Sequence, residues 1–205
     1  MKEIYYTIQG EGYHTGRAAV FCRFSGCNLW SGREMDRKNA ECKFCDTDFI
    51  GINGQSGSKY KTANDLVKEV ISYWPDNTRP FVVLTGGEPM LQVDKNLVEV
   101  FKKYNFEIAI ETNGTLDVPR DIDWICVSPK SGTKISQISG DEIKIVYPQE
   151  GLDPKTFENL QFKYFSLQPL DDKNKIKNIN ITIKYCSKNP KWRLSLQTHK
   201  IVGIR

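Results

Sequence analysis

Phe81-Val82-Val83-Leu84-Thr85-Gly86-Gly87-Glu88-Pro89 is the stretch from which the fold is read. Its apolar run has the length of a strand, and the paired glycines and the proline stop it abruptly. On its amino side Ala63, Leu66, Val67, Val70, Ile71 and Trp74 recur at helical spacing behind Thr62, a good N-cap, and Pro75 closes the segment. On its carboxyl side a second helix near Asn96 to Tyr104 leads to a strand over Phe106 to Ile110. Strand, helix and strand make a βαβ unit, which pairs its strands in parallel.

Further out, Ala18 to Phe24 reads as a buried strand that delivers the chain into a loop from Gly26 to about Tyr60. Loops longer than about 15 residues without regular structure are functional or disordered. This one holds three of the six cysteines, so function is expected of it. Its Trp30 to Glu41 part is expected to carry a helix of its own. More strands are expected at Trp124 to Val127, Ile143 to Tyr147, Tyr164 to Leu167 and Leu194 to Gln197. A third long helix is suggested by Ile176, Ile179, Ile183 and Cys186, against the β-branched content of that stretch. The expectation is an α/β fold, a reduced partial barrel of about six mainly parallel strands with three long helices. Its active site should gather at the carboxyl ends of the strands. A chain of 205 residues fits one domain, 1–205, with the enlarged loop at about 26–60 inside it.

Composition narrows the class. A charged share of 26% beside a hydrophobic share of 39% fits a soluble globular chain and not a disordered one. No apolar run approaches the roughly 20 residues that cross a bilayer. The opening Met1 to Tyr6 has no apolar signal-peptide core, so a cytoplasmic protein is expected. In that compartment cysteines serve as ligands, catalysts or core residues more often than as disulfides. The net charge of +4 is spread without a dense basic run among stacking aromatics, so no nucleic-acid partner is expected.

Cys42-Lys43-Phe44-Cys45 puts two thiolates on one tight turn, and Cys27, fourteen intervening residues earlier, can return to the same metal. Electron-transfer [4Fe-4S] clusters use four thiolates; three leave one iron open to a reactant. A catalytic zinc site also keeps a position open, with His14 or His199 as a further ligand, and spacing alone does not choose. Cys22, Cys126 and Cys186 fall within strand or helix patterns and read as core residues. The glycines of Thr85 to Pro89 let backbone approach a ligand that a Cβ would block, or simply make a turn.

Together, a three-cysteine loop and a GGEP turn at the end of the next strand resemble the radical S-adenosylmethionine superfamily. The resemblance narrows on Tyr6 to Gly12, Arg23 to Leu29, Cys45-Asp46-Thr47, Glu111 to Thr115, Ser128-Pro129-Lys130 and Gln197-Thr198-His199-Lys200. These motifs span nearly the whole chain and are similar to those of the 7-carboxy-7-deazaguanine synthase family. The superfamily's commonest spacing, CxxxCxxC, is replaced here by a longer first interval, which some members of this family share.

The resemblance implies a lyase of queuosine and deazapurine biosynthesis that contracts 6-carboxy-5,6,7,8-tetrahydropterin to 7-carboxy-7-deazaguanine with loss of ammonia. It implies that a 5′-deoxyadenosyl radical takes the C6 hydrogen and that 5′-deoxyadenosine later returns a hydrogen, so that S-adenosylmethionine is recycled. Cys27, Cys42 and Cys45 would hold a [4Fe-4S] cluster. Phe44, Asp46, Gly87, Ser128, Pro129, Lys130 and the Gln168-Pro169-Leu170-Asp171 stretch would contact S-adenosyl-L-methionine. Ile8, Gln9, Gly10, Arg23, Thr85 and His199 would bind substrate, and Thr47 would ligate Mg2+. A flavodoxin- or ferredoxin-type reductant and a homodimer are implied as well. Family chains often end in proline, with the terminal carboxylate in the active site; Gly203-Ile204-Arg205 departs from that, and Arg205 is not assigned to the site. Another small radical enzyme, such as a glycyl-radical activase, would share the cluster loop but not the pterin motifs. A non-catalytic zinc-binding module would leave Ser128-Pro129-Lys130 and the Gln197 to Lys200 segment unexplained.

Anaerobic reconstitution is therefore expected to give about four irons and four sulfides per chain. Cys27→Ala, Cys42→Ala and Cys45→Ala should each abolish assembly, whereas alanine at Cys22, Cys126 or Cys186 should not. Iron and sulfide analysis with the visible spectrum checks this, and stoichiometric zinc in place of iron would refute it.

Overall fold

The computed structural model describes residues 1–205. Its strands are β1 (Glu3–Ile8), β2 (Ala18–Phe24), β3 (Phe81–Gly86), β4 (Glu107–Thr112), β5 (Trp124–Val127), β6 (Ser139–Tyr147), β7 (Gln161–Pro169) and β8 (Trp192–Leu194). Its α-helices are α1 (Ala63–Ile71), α2 (Lys95–Lys103), α3 (Lys175–Lys188) and α4 (Thr198–Val202). All eight strands form one open sheet in sequence order, β1 and β8 at its edges. β1 runs antiparallel to β2, and every later pair is parallel. The sheet holds eight strands where about six were expected. β1 escapes periodicity because Glu3, Tyr5 and Thr7 alternate with Ile4 and Tyr6, a mixture with no apolar run. β8 lies at Trp192–Leu194, two residues before the expected start, although Ser195 N still donates to Leu167 O at 2.8 Å.

The βαβ unit around β3 is present as β3, α2 and β4. Thr62 caps α1 by accepting from Asp65 N at 3.1 Å, and Asp94 caps α2 by accepting from Leu97 N at 2.8 Å. These helices bury Leu66, Val67, Val70, Leu97, Val98 and Phe101 against Val20, Cys22, Val82, Leu84, Ile108 and Ile110 of the sheet. Each such side chain contributes about 1.5–3 kcal/mol when fully buried. A strand turns successive residues to opposite faces, so their sequence neighbours Phe21, Arg23, Thr85 and Glu111 look the other way. The same alternation continues through β6 and β7. Ile143, Ile145, Phe165 and Leu167 form a second core on the apolar side, and Glu142, Lys144, Ser166 and Gln168 face inward. One face is therefore apolar and covered; the other buries a small apolar cluster of Ala19, Phe81, Val83 and Ala109 at the amino ends of its strands and carries charged and polar side chains toward their carboxyl ends.

α3 is helical as its spacing implied, but its isoleucine stripe does not face the core. Ile176 is 72% and Ile183 42% exposed, while Asn178 and Thr182 are buried. Polar bonds decide the orientation: Asn178 Nδ2 donates to Leu170 O and to Asp172 Oδ1, each at 2.9 Å, pinning the helix to the turn after β7. The Trp30 to Glu41 region carries a 3₁₀ helix at Glu34–Asn39, matching the expectation of local structure there.

Candidate active site

The cysteine loop is fastened to the end of β3 through main chain. Gly87 N donates to Phe24 O at 3.2 Å and Glu88 N to Gly26 O at 2.9 Å. A Cβ on Gly86, whose φ is +140°, would lie 2.3 Å from Phe24 O, and one on Gly87 would lie 2.0 Å from Gly26 O. The glycines are thus required so that the loop can lie against β3, a closer constraint than room for a ligand. The Glu88 carboxylate, wholly buried, accepts from Met90 N (2.9 Å), Thr112 Oγ1 (2.7 Å) and Asn113 N (2.8 Å). Burial pushes its pKa up, and those donors oppose the rise. Asn113 Nδ2 continues to Asn28 Oδ1 at 2.9 Å, beside Cys27.

Cys27, Cys42 and Cys45 border one cavity of about 180 Å³, together with Phe44, Asp46, Gly87, Ser128, Lys130, Gln168, Pro169, Leu170 and Asp171. Of the expected cofactor contacts only Pro129 lies off its wall, buried between Ser128 and Lys130. All six cysteines are free. No three His, Cys, Asp or Glu side chains converge closely enough to hold a single ion. A four-iron cluster puts each thiolate on a different iron and needs no such convergence. Two features fit the implied groups. The hydrogen bond between Cys42 and Cys45 splits the pair, holding the Cys45 thiol below its ordinary value and pushing that of Cys42 well above it, and the buried Lys130 ammonium favours the thiolate at both positions. Gln168 Oε1 is buried without any hydrogen-bond partner, an acceptor aimed at a donor that the chain does not supply. Burial raises the Cys27 thiol in the protein alone, as it does those of Cys22 and Cys126 away from the loop. His14 is elsewhere, in an aromatic cluster with its ring 4.3 Å from Trp124 and 5.2 Å from Phe81.

A second cavity of about 370 Å³ collects Ile8, Gln9, Gly10, Arg23, Thr85 and His199, with Thr47, Asp46 and Asp48 on its rim. Gly10 is held under the His199 ring, where a Cβ would meet Nδ1 at 2.3 Å, and Thr198 N donates to Gly10 O at 2.9 Å. Arg23 donates through Nε to Glu3 Oε1 at 2.8 Å and through Nη2 to Tyr5 OH at 2.9 Å; its Nη1 makes no hydrogen bond within the chain. Glu3 and Tyr5 were missed from sequence, and Arg205, considered there because the family places its terminal carboxylate in the site, was left unassigned. Arg205 pairs with the Glu3 carboxylate, lies 4.7 Å over the Tyr5 ring, and accepts at its main-chain oxygen from Thr7 Oγ1 at 2.7 Å. The alternation of Glu3, Tyr5 and Thr7 was the available signal for the β1 residues, and the terminal position, where the resemblance puts a carboxylate in the site, was the signal for Arg205.

Thr47, Thr85, Glu11, Glu111, Asp46 and Gln197 border both cavities, so the two are contiguous. Lys200 Nζ straps the seam from outside, 2.6 Å from Asp46 and 2.7 Å from Asp171. Inside it Lys144 lies between Glu11 and Glu111, another group without a local sequence signature.

The Radical SAM superfamily model matches residues 38–140. Two relatives named 7-carboxy-7-deazaguanine synthase, from Bradyrhizobium diazoefficiens and Caulobacter vibrioides, are 54% and 51% identical over all of this chain and 98% of theirs. A solved structure described as the crystal structure of QueE from Escherichia coli superposes with a TM-score of 0.73 at 27% identity. That alignment covers 97% of this chain and 93% of the other.

Glu88→Gln should weaken the junction of loop and sheet, because one amide oxygen cannot replace two carboxylate oxygens and the new NH2 opposes the Asn113 N–H. Leaving a buried donor unpartnered costs about 1–3 kcal/mol. Urea unfolding of the metal-free protein checks this, and an unchanged midpoint would contradict it.

Proposed function

Because the chain belongs to the 7-carboxy-7-deazaguanine synthase family of the radical S-adenosylmethionine superfamily, we propose that its two contiguous cavities divide that reaction between them. The cysteine-bordered cavity takes the cluster and S-adenosyl-L-methionine, and the cavity under β1 takes the pterin. The enzyme is a radical lyase that converts 6-carboxy-5,6,7,8-tetrahydropterin to 7-carboxy-7-deazaguanine with loss of ammonia. When bound, the cluster and S-adenosyl-L-methionine supply a 5′-deoxyadenosyl radical that takes hydrogen from substrate C6. What carries the division is the shared wall: Thr47, Thr85 and Glu111 border both cavities, so a substrate in one lies next to a cofactor in the other.

The chain's own residues then bind and orient. Cys27, Cys42 and Cys45 hold the cluster with Lys130 as the neighbouring positive charge. Gln168 offers its spare Oε1 as an acceptor, and Phe44, Asp46, Gly87, Ser128, Leu170 and Asp171 shape the rest of the cofactor wall. Arg23 Nη1, left free by Glu3 and Tyr5, donates to the pterin carboxylate. Guanidinium suits that role because its donors are fixed in a plane and always charged. Backbone at Ile8, Gln9 and Gly10 reads the pterin edge, with His199 and Thr85 closing round it. Thr47 would offer one oxygen to Mg2+, an ion that commonly takes few protein ligands. One domain spanning 1–205 carries all of this. The protein acts as a cytoplasmic homodimer supplied by a flavodoxin- or ferredoxin-type reductant, without nucleic-acid or membrane partners. No helix of the structure is long and apolar enough to cross a membrane.

Arg23→Ala should retain iron and S-adenosylmethionine binding while weakening pterin affinity about ten- to a hundredfold, the equivalent of a charge-assisted bond of about 1.5–3 kcal/mol. Glu3 keeps Arg205 as a partner in that variant, which protects the fold. Pterin binding, cluster content and both products in one anaerobic preparation decide it, and wild-type conversion by the variant would sink the assignment. Mg2+ should raise turnover after thorough chelation, and Thr47→Ala should blunt that response without loss of cluster. Indifference of the wild-type enzyme to Mg2+ would remove the role given to Thr47.

A further inference from the structure

We propose that Lys144 is a positioning residue for this reaction, holding Glu11 and Glu111 together at the seam so that occupation of the pterin cavity is registered in the cofactor cavity. The inference rests on the assignment of the two cavities made above. Lys144 Nζ is 2.7 Å from Glu11 Oε2 and 3.0 Å from Glu111 Oε2, with its side chain 5% exposed. The remaining carboxylate oxygens lead in opposite directions. Glu111 Oε1 accepts from Gln9 Nε2 at 2.8 Å on the pterin side. Glu11 Oε1 accepts from Gln168 Nε2 at 3.2 Å and from Gln197 Nε2 at 3.0 Å, and Gln168 is the residue whose Oε1 awaits a donor in the cofactor cavity. A continuous chain of charge-assisted bonds thus runs from Gln9 through Glu111, Lys144 and Glu11 to Gln168.

Stability alone does not account for this arrangement. Lys144 lies on β6 between Ile143 and Ile145, both fully buried, and apolar side chains at all three positions, 11, 111 and 144, could fill the space without taking charges out of water. Replacing buried ion pairs by apolar residues is often neutral or stabilising. Burial works against the Lys144 ammonium, but Glu11 and Glu111 outweigh it and keep the group charged. The triad carries two negative charges and one positive, and its carboxylates border both cavities, so it is placed to respond to polar groups arriving in either. Without the ammonium, Glu11 and Glu111 repel, and neither Gln9 nor Gln168 keeps a fixed partner.

The test compares wild type, Lys144→Met, Lys144→Arg and the double variant Glu11→Gln/Lys144→Met as anaerobically reconstituted holoenzymes. Readouts are iron content, melting temperature, S-adenosylmethionine binding, pterin KM and kcat, and 5′-deoxyadenosine released per product. Lys144→Met should keep its iron and S-adenosylmethionine binding, raise pterin KM about tenfold and release more 5′-deoxyadenosine per turnover, in the range of ordinary coupling between sites. Lys144→Arg, able to bridge both carboxylates, should recover most of the coupling. The double variant relieves the repulsion and should recover melting temperature but not coupling. Wild-type KM and product ratio in Lys144→Met would overturn the proposal, as would recovery of coupling in the double variant, which would reduce Lys144 to a neutralising charge. Arg23→Ala assayed in parallel separates the two readings. If it leaves pterin KM unchanged, the cavity assignment has failed; if it raises KM and Lys144→Met does not, only the present inference has.

Discussion

A carboxylate with no exposure to water joins the three parts of the molecule that must meet. Glu88 leaves β3 and sends its main-chain N–H to the cysteine loop at Gly26, while its side chain accepts from the end of β4 and from the following turn. Burying an unpaired carboxylate would cost several kcal/mol, so the donors of Met90, Thr112 and Asn113 have to be in place when it is buried. The requirement works in both directions. The carboxylate needs those donors, and through Asn113 and Asn28 it sets where Cys27 stands relative to β3 and β4. A long loop without a core of its own is thereby placed by the sheet, and the cysteines inherit the precision of the strands.

The charge on the inner face has a related origin. Helices α1 and α2 cover one face of the sheet, and sequential parallel strands with crossovers of a single hand keep them there. The other face has no helical layer to pack against, so its alternate positions are free to carry Arg23, Glu111, Lys144 and Gln168. In a sheet covered on both sides these positions would be apolar. The half-covered architecture is what allows a 205-residue chain to set two cavities beside a complete apolar core. Polar residues there satisfy one another in chains, and Arg23 Nη1 and Gln168 Oε1 are left without a partner at their ends.

Much of this was legible in the sequence where a local rule governs it. α1 follows from its apolar spacing and its Thr62 cap, and β3 from its run and its glycines. The expected substrate residues, scattered from Ile8 to His199, do share one cavity, and the expected cofactor residues share the other except for Pro129. Where local rules compete with tertiary contacts, reading fails. The isoleucines of α3 have perfect spacing for a core face, yet Asn178 turns the helix by bonding Leu170 and Asp172. Lys144 stands within an apolar strand run and differs from a surface lysine only through Glu11, which is 133 positions away. Arg205 meets Glu3 across nearly the whole chain. No window of sequence contains both members of such a pair.

The placement of those distant pairs bears on how the site is completed. Gln197, His199, Lys200 and Arg205 come from the last short elements, and their partners Glu11, Gly10, Asp46 and Glu3 belong to β1, the turn after it and the cysteine loop. α4 is five residues long and none of them is buried, so its own propensity and packing do little to hold it. Its position depends instead on Thr198 N to Gly10 O, the Lys200 strap and the Arg205 pair, all formed with residues that border a cavity. Segments held by few apolar contacts and exposed polar bonds open at low free-energy cost. The α4 wall of the larger cavity is therefore held by polar bonds more than by burial, while the cysteine loop is anchored through Glu88 to the sheet.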